Sequence, residues 1–181
     1  MKKTILPAVI LGIICLITAA LLAGTNYLTA DRIAEAEAKR LEDAARSVLT
    51  AANTLEPLAR DDMKGYIGYD ENGDIVGYTF QNAYKGYGGD VTAVVGISTD
   101  GKITGVAVTA PDETPGLGSN VKNDSFLSVF LGKDAATKFV IKENVDAVTS
   151  ATYSSKAVVA GVNAALENYR TLTKGELSNG K

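Results

Sequence analysis

The feature that most constrains this chain is an N-terminal run without any charge, from Thr4 to Tyr27, in which apolar residues dominate Ile5–Ala23. A run of this length can cross the hydrocarbon core of a bilayer, about 30 Å thick, as a helix that rises about 1.5 Å per residue. The sequence therefore predicts a membrane anchor over residues 1–27, with membrane lipid around it.

A cleavable signal peptide is the alternative interpretation of this run. Such a peptide has a shorter apolar stretch, roughly 7–15 residues, followed by small residues at the cleavage site. Leu28-Thr29-Ala30 is a poor cleavage site, so a retained single-pass anchor is favoured. Lys2 and Lys3 precede the run and predict a cytoplasmic N-terminus by the positive-inside bias. The remaining chain would then lie on the extracytoplasmic side of the cell membrane.

The rest of the composition excludes several classes of function. The chain has no histidine, which removes Ser–His and Cys–His catalysis and most zinc sites. Its one cysteine, Cys15, can form neither an intrachain disulfide nor a CxxC pair. The net charge of −3 argues against a nucleic-acid partner. We expect no metal site, and if this protein does redox chemistry, a borrowed cofactor must do it.

Residues 28–64 are predicted to form a stalk and packing helix. Charges crowd the segment from Asp31 to Asp43, and Asp31 can cap a helix that runs to about Leu49. An interrupted apolar stripe, which lets the helix pack on the domain that follows, is formed by Ile33, Leu41, Ala44, Ala45, Val48 and Leu49. For the first half of the segment, a solvated spacer is the alternative.

Residues 65–173 read as an α+β domain, an antiparallel sheet packed with helices. Turn residues at Asp70–Asp74 and Asp100-Gly101 join β-like segments too closely for crossover connections. The predicted strands are Tyr66–Tyr69, Ile75–Tyr84, Val91–Ser98, Lys102–Thr109 and a short piece, Lys138–Lys142. The predicted helices are Asp124–Leu131 and Tyr153–Leu172. Residues 174–181 are predicted to form a polar tail.

A cluster of hydroxyl groups and small side chains opens the last helix, from Asp146 to Ser155. Thr152, Ser154 and Ser155 are candidate caps, and free N–H groups with the helix dipole can bind an anion there. Lys156 follows Thr152 by four residues, so both can lie on one helical face. On the residues alone, a plain helix cap with Lys156 in solvent is the alternative.

The segment Asp146-Ala147-Val148-Thr149-Ser150-Ala151-Thr152 resembles the flavinylation motif of the FMN-binding domain family, Asp-x-x-Ser/Thr-Gly/Ser-Ala-Thr. The resemblance implies FMN esterified through its phosphate to Thr152 by a flavin transferase. The common form of the motif has glycine where this chain has Ser150. The residues of this segment implied to contact the cofactor are Thr149, Ser150, Ala151, Tyr153 and Lys156.

Two further segments carry the resemblance. One spans Asp112–Gly118; many relatives have histidine where this chain has Asp112, so a role that depends on imidazole is not implied. Its residues implied to belong to the flavin pocket are Glu113, Thr114, Pro115, Gly116, Leu117 and Gly118. The other is Gly86–Asp90, leading into the strand at Val91; on the residues alone it is a loop entering a strand.

One anchor followed by one such domain resembles the G-type subunits of Rnf complexes, which are membrane-bound ferredoxin:NAD oxidoreductases. The resemblance implies one-electron relay through covalent FMN, Na⁺ or H⁺ translocation by the complex, and the other Rnf subunits as partners. Two alternatives remain at this point: an extracytoplasmic flavoprotein that serves another redox partner, and a flavin-free, membrane-anchored interaction domain.

Overall fold

The computed structural model describes residues 2–58, 60, 62–110, 113–116 and 118–179. It begins with one long helix, α1 (Lys2–Val48), which continues through Asp31 without a break. Within the described residues, α1 is the one helix long and apolar enough to span a membrane, with a mean hydropathy of 2.5 over its most apolar window. Asp31 therefore lies inside a helix and caps nothing, which corrects the predicted start.

Five strands follow in an antiparallel meander, each paired with its neighbours in the sequence. The strands are β1 (Thr54–Pro57), β2 (Gly65–Tyr69), β3 (Ile75–Lys85), β4 (Asp90–Ser98) and β5 (Ile103–Thr109). The predicted turn between β2 and β3 is confirmed: Asp70 Oδ1 accepts the backbone N–H groups of Asn72 at 2.8 Å and Asp74 at 2.9 Å. The hydrogen bond from Asp74 contributes most to lowering the pKa of the Asp70 carboxyl.

Helices cover the two faces of this sheet. After β5 come a 3₁₀ turn (Gly118–Lys122), α2 (Asp124–Leu127), a second 3₁₀ turn (Ser128–Phe130) and finally α3 (Thr152–Asn179). The larger core lies between α3 and the sheet, where Phe80 and Ile97 meet Val158 and Leu166. The last turns of α1 pack on the opposite face against Val94. The α+β architecture predicted from the sequence is confirmed.

The end of α1 lies directly on the sheet because four strands place glycine beneath it: Gly68, Gly77, Gly96 and Gly105. A methyl group on Gly105 would lie 2.7 Å from Val48 Cα, closer than non-bonded carbon atoms allow. The Thr104 hydroxyl donates a 2.6 Å hydrogen bond to the Val48 carbonyl, which belongs to the unsatisfied last turn of the helix. Glycines and Thr104 together fix where α1 ends.

The prediction of a strand at Lys138–Lys142 is wrong. It forms turns with one isolated bridge, Ile141 to Val145. The Asn163 side chain of α3 accepts from the Phe139 N–H at 2.9 Å and donates to the Phe139 carbonyl at 2.8 Å. Asn144 bonds the neighbouring backbone in the same way. Side-chain amides thus occupy backbone groups that a neighbouring strand would otherwise bind.

The other boundaries differ from the predictions in smaller ways. The first strand, β1, was not predicted, since it has only four residues and ends in Pro57. The predicted helix Asp124–Leu131 divides into α2 and a 3₁₀ turn, and α3 runs seven residues beyond the predicted end at Leu172, to Asn179. Ile33 is exposed, and the members of the predicted stripe that pack in the smaller core are Leu41, Ala44, Ala45 and Val48.

The close contact of α1 with the sheet gives a test of stability. Gly105→Ala should lower the free energy of unfolding by about 1–3 kcal/mol, because the added methyl displaces Val48. The measurement is urea unfolding of the detergent-solubilised chain, followed by tyrosine fluorescence. Gly24→Ala is the matched control, since nothing lies within 4 Å of the added methyl there. Equal stability of the two variants would show that α1 does not pack closely on Gly105.

Candidate functional site

The segment that opens α3 leaves one threonine hydroxyl exposed at the first residue of a long helix. The Ala151 carbonyl accepts the first helical hydrogen bond, from the Ser155 N–H at 2.8 Å, so Ala151 occupies the capping position. Thr152 is therefore the first helical residue and not the cap. Its side chain is exposed, and its hydroxyl makes no hydrogen bond to any residue that the structure describes. The hydroxyl is free to react or to bind a ligand.

Ser155, the last of the three candidate caps, binds the preceding loop instead of capping the helix. Its hydroxyl is buried and accepts the Val148 N–H at 3.0 Å, while the Val148 carbonyl accepts the Ala151 N–H at 2.9 Å. These two bonds fix the loop that carries the hydroxyl cluster to the first turn of α3. Thr152 is consequently held on an ordered backbone.

Ser150 adopts a left-handed backbone conformation, with φ of 63°. This conformation costs a residue with a Cβ atom about 1–2 kcal/mol and costs glycine little. The common motif has glycine at this position, and the structure gives the reason: the backbone turns here before the helix begins. Serine preserves the turn at a modest cost in strain.

A cavity of about 390 Å³ lies beside Thr152 and brings together the three segments singled out in the sequence. Its volume is within the range of small-molecule sites. The lining residues are Tyr87, Glu113, Thr114, Gly118, Ser150, Ala151, Thr152, Tyr153 and Ser154.

Two of the lining residues carry a buried polar atom that has no partner among the described residues: Glu113 Oε2 and Ser154 Oγ. The exposed fraction is 4% for Glu113 and 0% for Ser154. An unsatisfied buried polar atom costs about 1–3 kcal/mol, so both positions favour a ligand that supplies hydrogen bonds. The isoalloxazine ring of a flavin carries such groups along one edge, and the residues present fit it.

A cation lies near the helix start. Lys156 Nζ is 5.9 Å from the centroid of the Tyr153 ring, and both side chains are exposed. No ion pair forms between Lys156 and any described carboxylate. Lys156 thus adds an uncompensated positive charge near the helix terminus, where backbone N–H groups are also free.

Four described residues that were predicted to belong to the pocket do not line this cavity: Pro115, Gly116, Thr149 and Lys156. Thr149 lines a neighbouring cavity instead. Gly116 shapes its own loop, since its N–H donates to Ser119 Oγ at 3.0 Å and its carbonyl accepts from Asn120 Nδ2 at 2.8 Å. Pro115 lies in the same turn. Leu117, like Asp112, lies outside the described residues.

Two residues that line the cavity, Tyr87 and Ser154, were not predicted from the sequence to belong to the pocket. An exposed aromatic side chain between glycines, as in Gly86-Tyr87-Gly88, was the available signal for Tyr87. Ser154 gave no separate signal, because serine near a helix start is usually a cap. Among the described residues, no group of three or more metal-ligating side chains occurs.

Comparison with known proteins agrees with the geometry of the site. The FMN-binding domain family matches residues 86–167, which include all the lining residues, and the family described as RnfG N-terminal region matches residues 1–48. The chain is thus a flavin-binding-domain protein with an N-terminal helix.

Its relatives define the family further. The chain is 35% identical to the G subunit of the Na(+)-translocating ferredoxin:NAD(+) oxidoreductase complex of Acetobacterium woodii, over 91% of each chain. It is 31% identical to the G subunit of the proton-translocating complex of Clostridium ljungdahlii, over 92% of this chain and 91% of that one. The chain belongs to the family of Rnf complex G subunits.

A solved structure shows a more distant likeness. The C subunit of the Na(+)-translocating NADH-quinone reductase of Parabacteroides distasonis matches with a TM-score of 0.48 and 20% identity, over 59% of this chain and 60% of that one.

The two neighbouring buried serines provide a matched test of the site in flavin-free protein. Ser155→Ala should lower the free energy of unfolding by about 1–3 kcal/mol, because the Val148 N–H loses its acceptor. Ser154→Ala removes no hydrogen bond to a described residue and should leave stability unchanged or slightly raised. Urea unfolding and hydrogen exchange at Val148 measure the difference. Equal losses in both variants would contradict this assignment of the two hydroxyls.

Proposed function

We propose that this chain is the electron-transfer subunit of a membrane-bound Rnf-type ferredoxin:NAD oxidoreductase complex that couples electron transfer to Na⁺ or H⁺ translocation. The observation that carries the proposal is the cavity beside the Thr152 hydroxyl, lined by two unpartnered buried polar atoms and lying within the FMN-binding domain. Membership of the Rnf G-subunit family supplies the partners: the other subunits of the complex.

Covalent attachment of FMN at Thr152 is the second part of the proposal. In the attached form, Thr152 Oγ is bonded to the flavin phosphorus in a phosphoester. A flavin transferase would form it during maturation from a flavin dinucleotide: Thr152 Oγ displaces the nucleoside monophosphate from the flavin phosphorus, and the hydroxyl proton leaves with that monophosphate. Its support is that Thr152 is exposed, unbonded to described residues and first in α3. The free N–H groups of the first turn and the Lys156 ammonium favour a phosphate at this position.

The remaining pocket residues have roles in binding and not in proton transfer. Glu113 and Ser154 offer hydrogen bonds to polar groups on the ring, and Ala151, Ser150 and Gly118 leave room beside it. Thr114 and Tyr153 complete the wall. When bound, the isoalloxazine supplies the one-electron chemistry. The absence of histidine agrees with this division, since no side chain has to act as an acid or base in turnover.

The third part of the proposal is the side of the membrane on which the domain lies. The apolar half of α1 anchors the chain in lipid, with Lys2 and Lys3 on the cytoplasmic side and the flavin domain outside. Covalent attachment suits that side, because a flavin lost there could not be replaced from the cytoplasmic pool. Phosphoester attachment thereby keeps the protein loaded.

Intact mass spectrometry tests the attachment. Chain co-produced with a flavin transferase should gain the mass of FMN less one water, and Thr152→Ala should abolish the gain because it removes the only oxygen that forms the ester. Thr171→Ala, an exposed threonine on the same helix, is the control and should load normally. Flavin that stays with Thr152→Ala after denaturation would contradict the assignment. Wild-type chain without flavin would favour an interaction domain.

Cysteine labelling in intact cells tests the orientation. Cys15 is the only natural cysteine and lies in the apolar run, so a new cysteine gives a specific signal. Glu71→Cys, in the exposed turn between β2 and β3, should react with a membrane-impermeant maleimide. Thr4→Cys, which keeps both lysines, should react only after the cells are permeabilised. The reverse pattern would overturn the proposed orientation.

A further inference from the structure

The Glu113 carboxylate joins two of the loops that wall the cavity. Its Oε1 accepts the Tyr87 N–H at 2.8 Å and the Gly88 N–H at 3.3 Å. Its Oε2 lies against the Cα of Gly118, where any side chain would collide with it. Hydrogen bonds to a carboxylate are about twice as strong as those between neutral groups. The backbone of Tyr87 is therefore fixed relative to the loop that follows β5.

The Tyr87 side chain is exposed although its backbone is fixed. Its ring is 78% exposed and lies at the rim of the cavity, with its centroid 6.5 Å from that of Tyr153 and the ring planes at 48°. Tyr153 is 67% exposed. Two exposed aromatic side chains close together at one cavity mark a place for an apolar, planar ligand.

The size of the cavity distinguishes a ring from a protein partner. About 390 Å³ admits a fused ring system, and two unpartnered buried polar atoms line its wall. A docking protein would cover the exposed tyrosines but would not enter the cavity that Glu113 and Ser154 line. The combination of aromatic rim and polar wall matches a flat heterocycle that is apolar on its faces and polar at one edge.

We infer that Tyr87 and Tyr153 form the surface on which the isoalloxazine ring lies, and that Glu113 is the positioning residue that holds Tyr87 there. The inference rests on the proposed function, because it takes the flavin at Thr152 as given. Since the flavin is tethered by its phosphate, Tyr87 determines where the ring lies and not whether it is bound.

Flavin fluorescence is the measurement. A tyrosine in contact with an isoalloxazine quenches its emission by electron transfer, and this chain has no tryptophan to do so. The full chain, co-produced with a flavin transferase and purified in detergent, is normalised to covalent flavin by intact mass. Tyr87→Leu should raise the fluorescence per flavin severalfold. Tyr84→Leu is the control: it removes an exposed tyrosine that does not line the cavity and should change nothing.

Variants of Glu113 test the positioning role. Glu113→Gln keeps an oxygen that can accept the Tyr87 and Gly88 N–H groups, so its fluorescence per flavin should lie closer to wild type than that of Glu113→Ala. Glu113→Ala frees the loop and should raise fluorescence as Tyr87→Leu does. Loaded Tyr87→Leu with wild-type emission would overturn the inference while leaving the proposed function intact. Wild-type chain that carries no covalent flavin would instead overturn the proposed function.

Discussion

The packing of the end of α1 on a row of glycines is the contact on which the rest of the domain depends. Because Gly96 and Gly105 have no side chains, the backbone of Val48 lies on the sheet, and Thr104 binds its carbonyl. One face of the meander is occupied in this way, which leaves the other for α3 and the larger core. Since α3 begins at Thr152, the choice of faces determines where the Thr152 hydroxyl lies.

The candidate site is assembled by hydrogen bonds between segments far apart in sequence. Glu113 binds the loop at Tyr87, 26 residues upstream, and Ser155 binds the loop at Val148. Both side chains are buried, so water competes little for these bonds. Glu113 Oε2 and Ser154 Oγ are left without a partner among the described residues, and both residues line the cavity. The hydrogen bonds that order these loops therefore also hold the cavity between them open.

Local patterns predicted most of the fold and only part of the site. Strand alternation and turn residues such as Asp70 act over a few residues, so the hairpins followed from sequence. The segment Lys138–Lys142 did not, because Asn163, a residue of α3, takes its hydrogen bonds. Thr152 and Glu113 were identified by family resemblance, but Tyr87 was not, since only the folded chain brings it to Tyr153. Tertiary pairing accounts for each miss.

The exposed rim of the cavity has a consequence for affinity. A ring tethered at Thr152, as proposed, samples the cavity at an effective concentration of ~1 mM or more, set by the length of the tether. Contacts too weak to capture a free flavin then suffice to hold it. Selection for tight enclosure is relaxed, and one edge of the ring can stay open toward a neighbouring protein of the complex. In the proposed covalent form a shallow site is sufficient, and an open edge of the ring would shorten the distance over which an electron must tunnel.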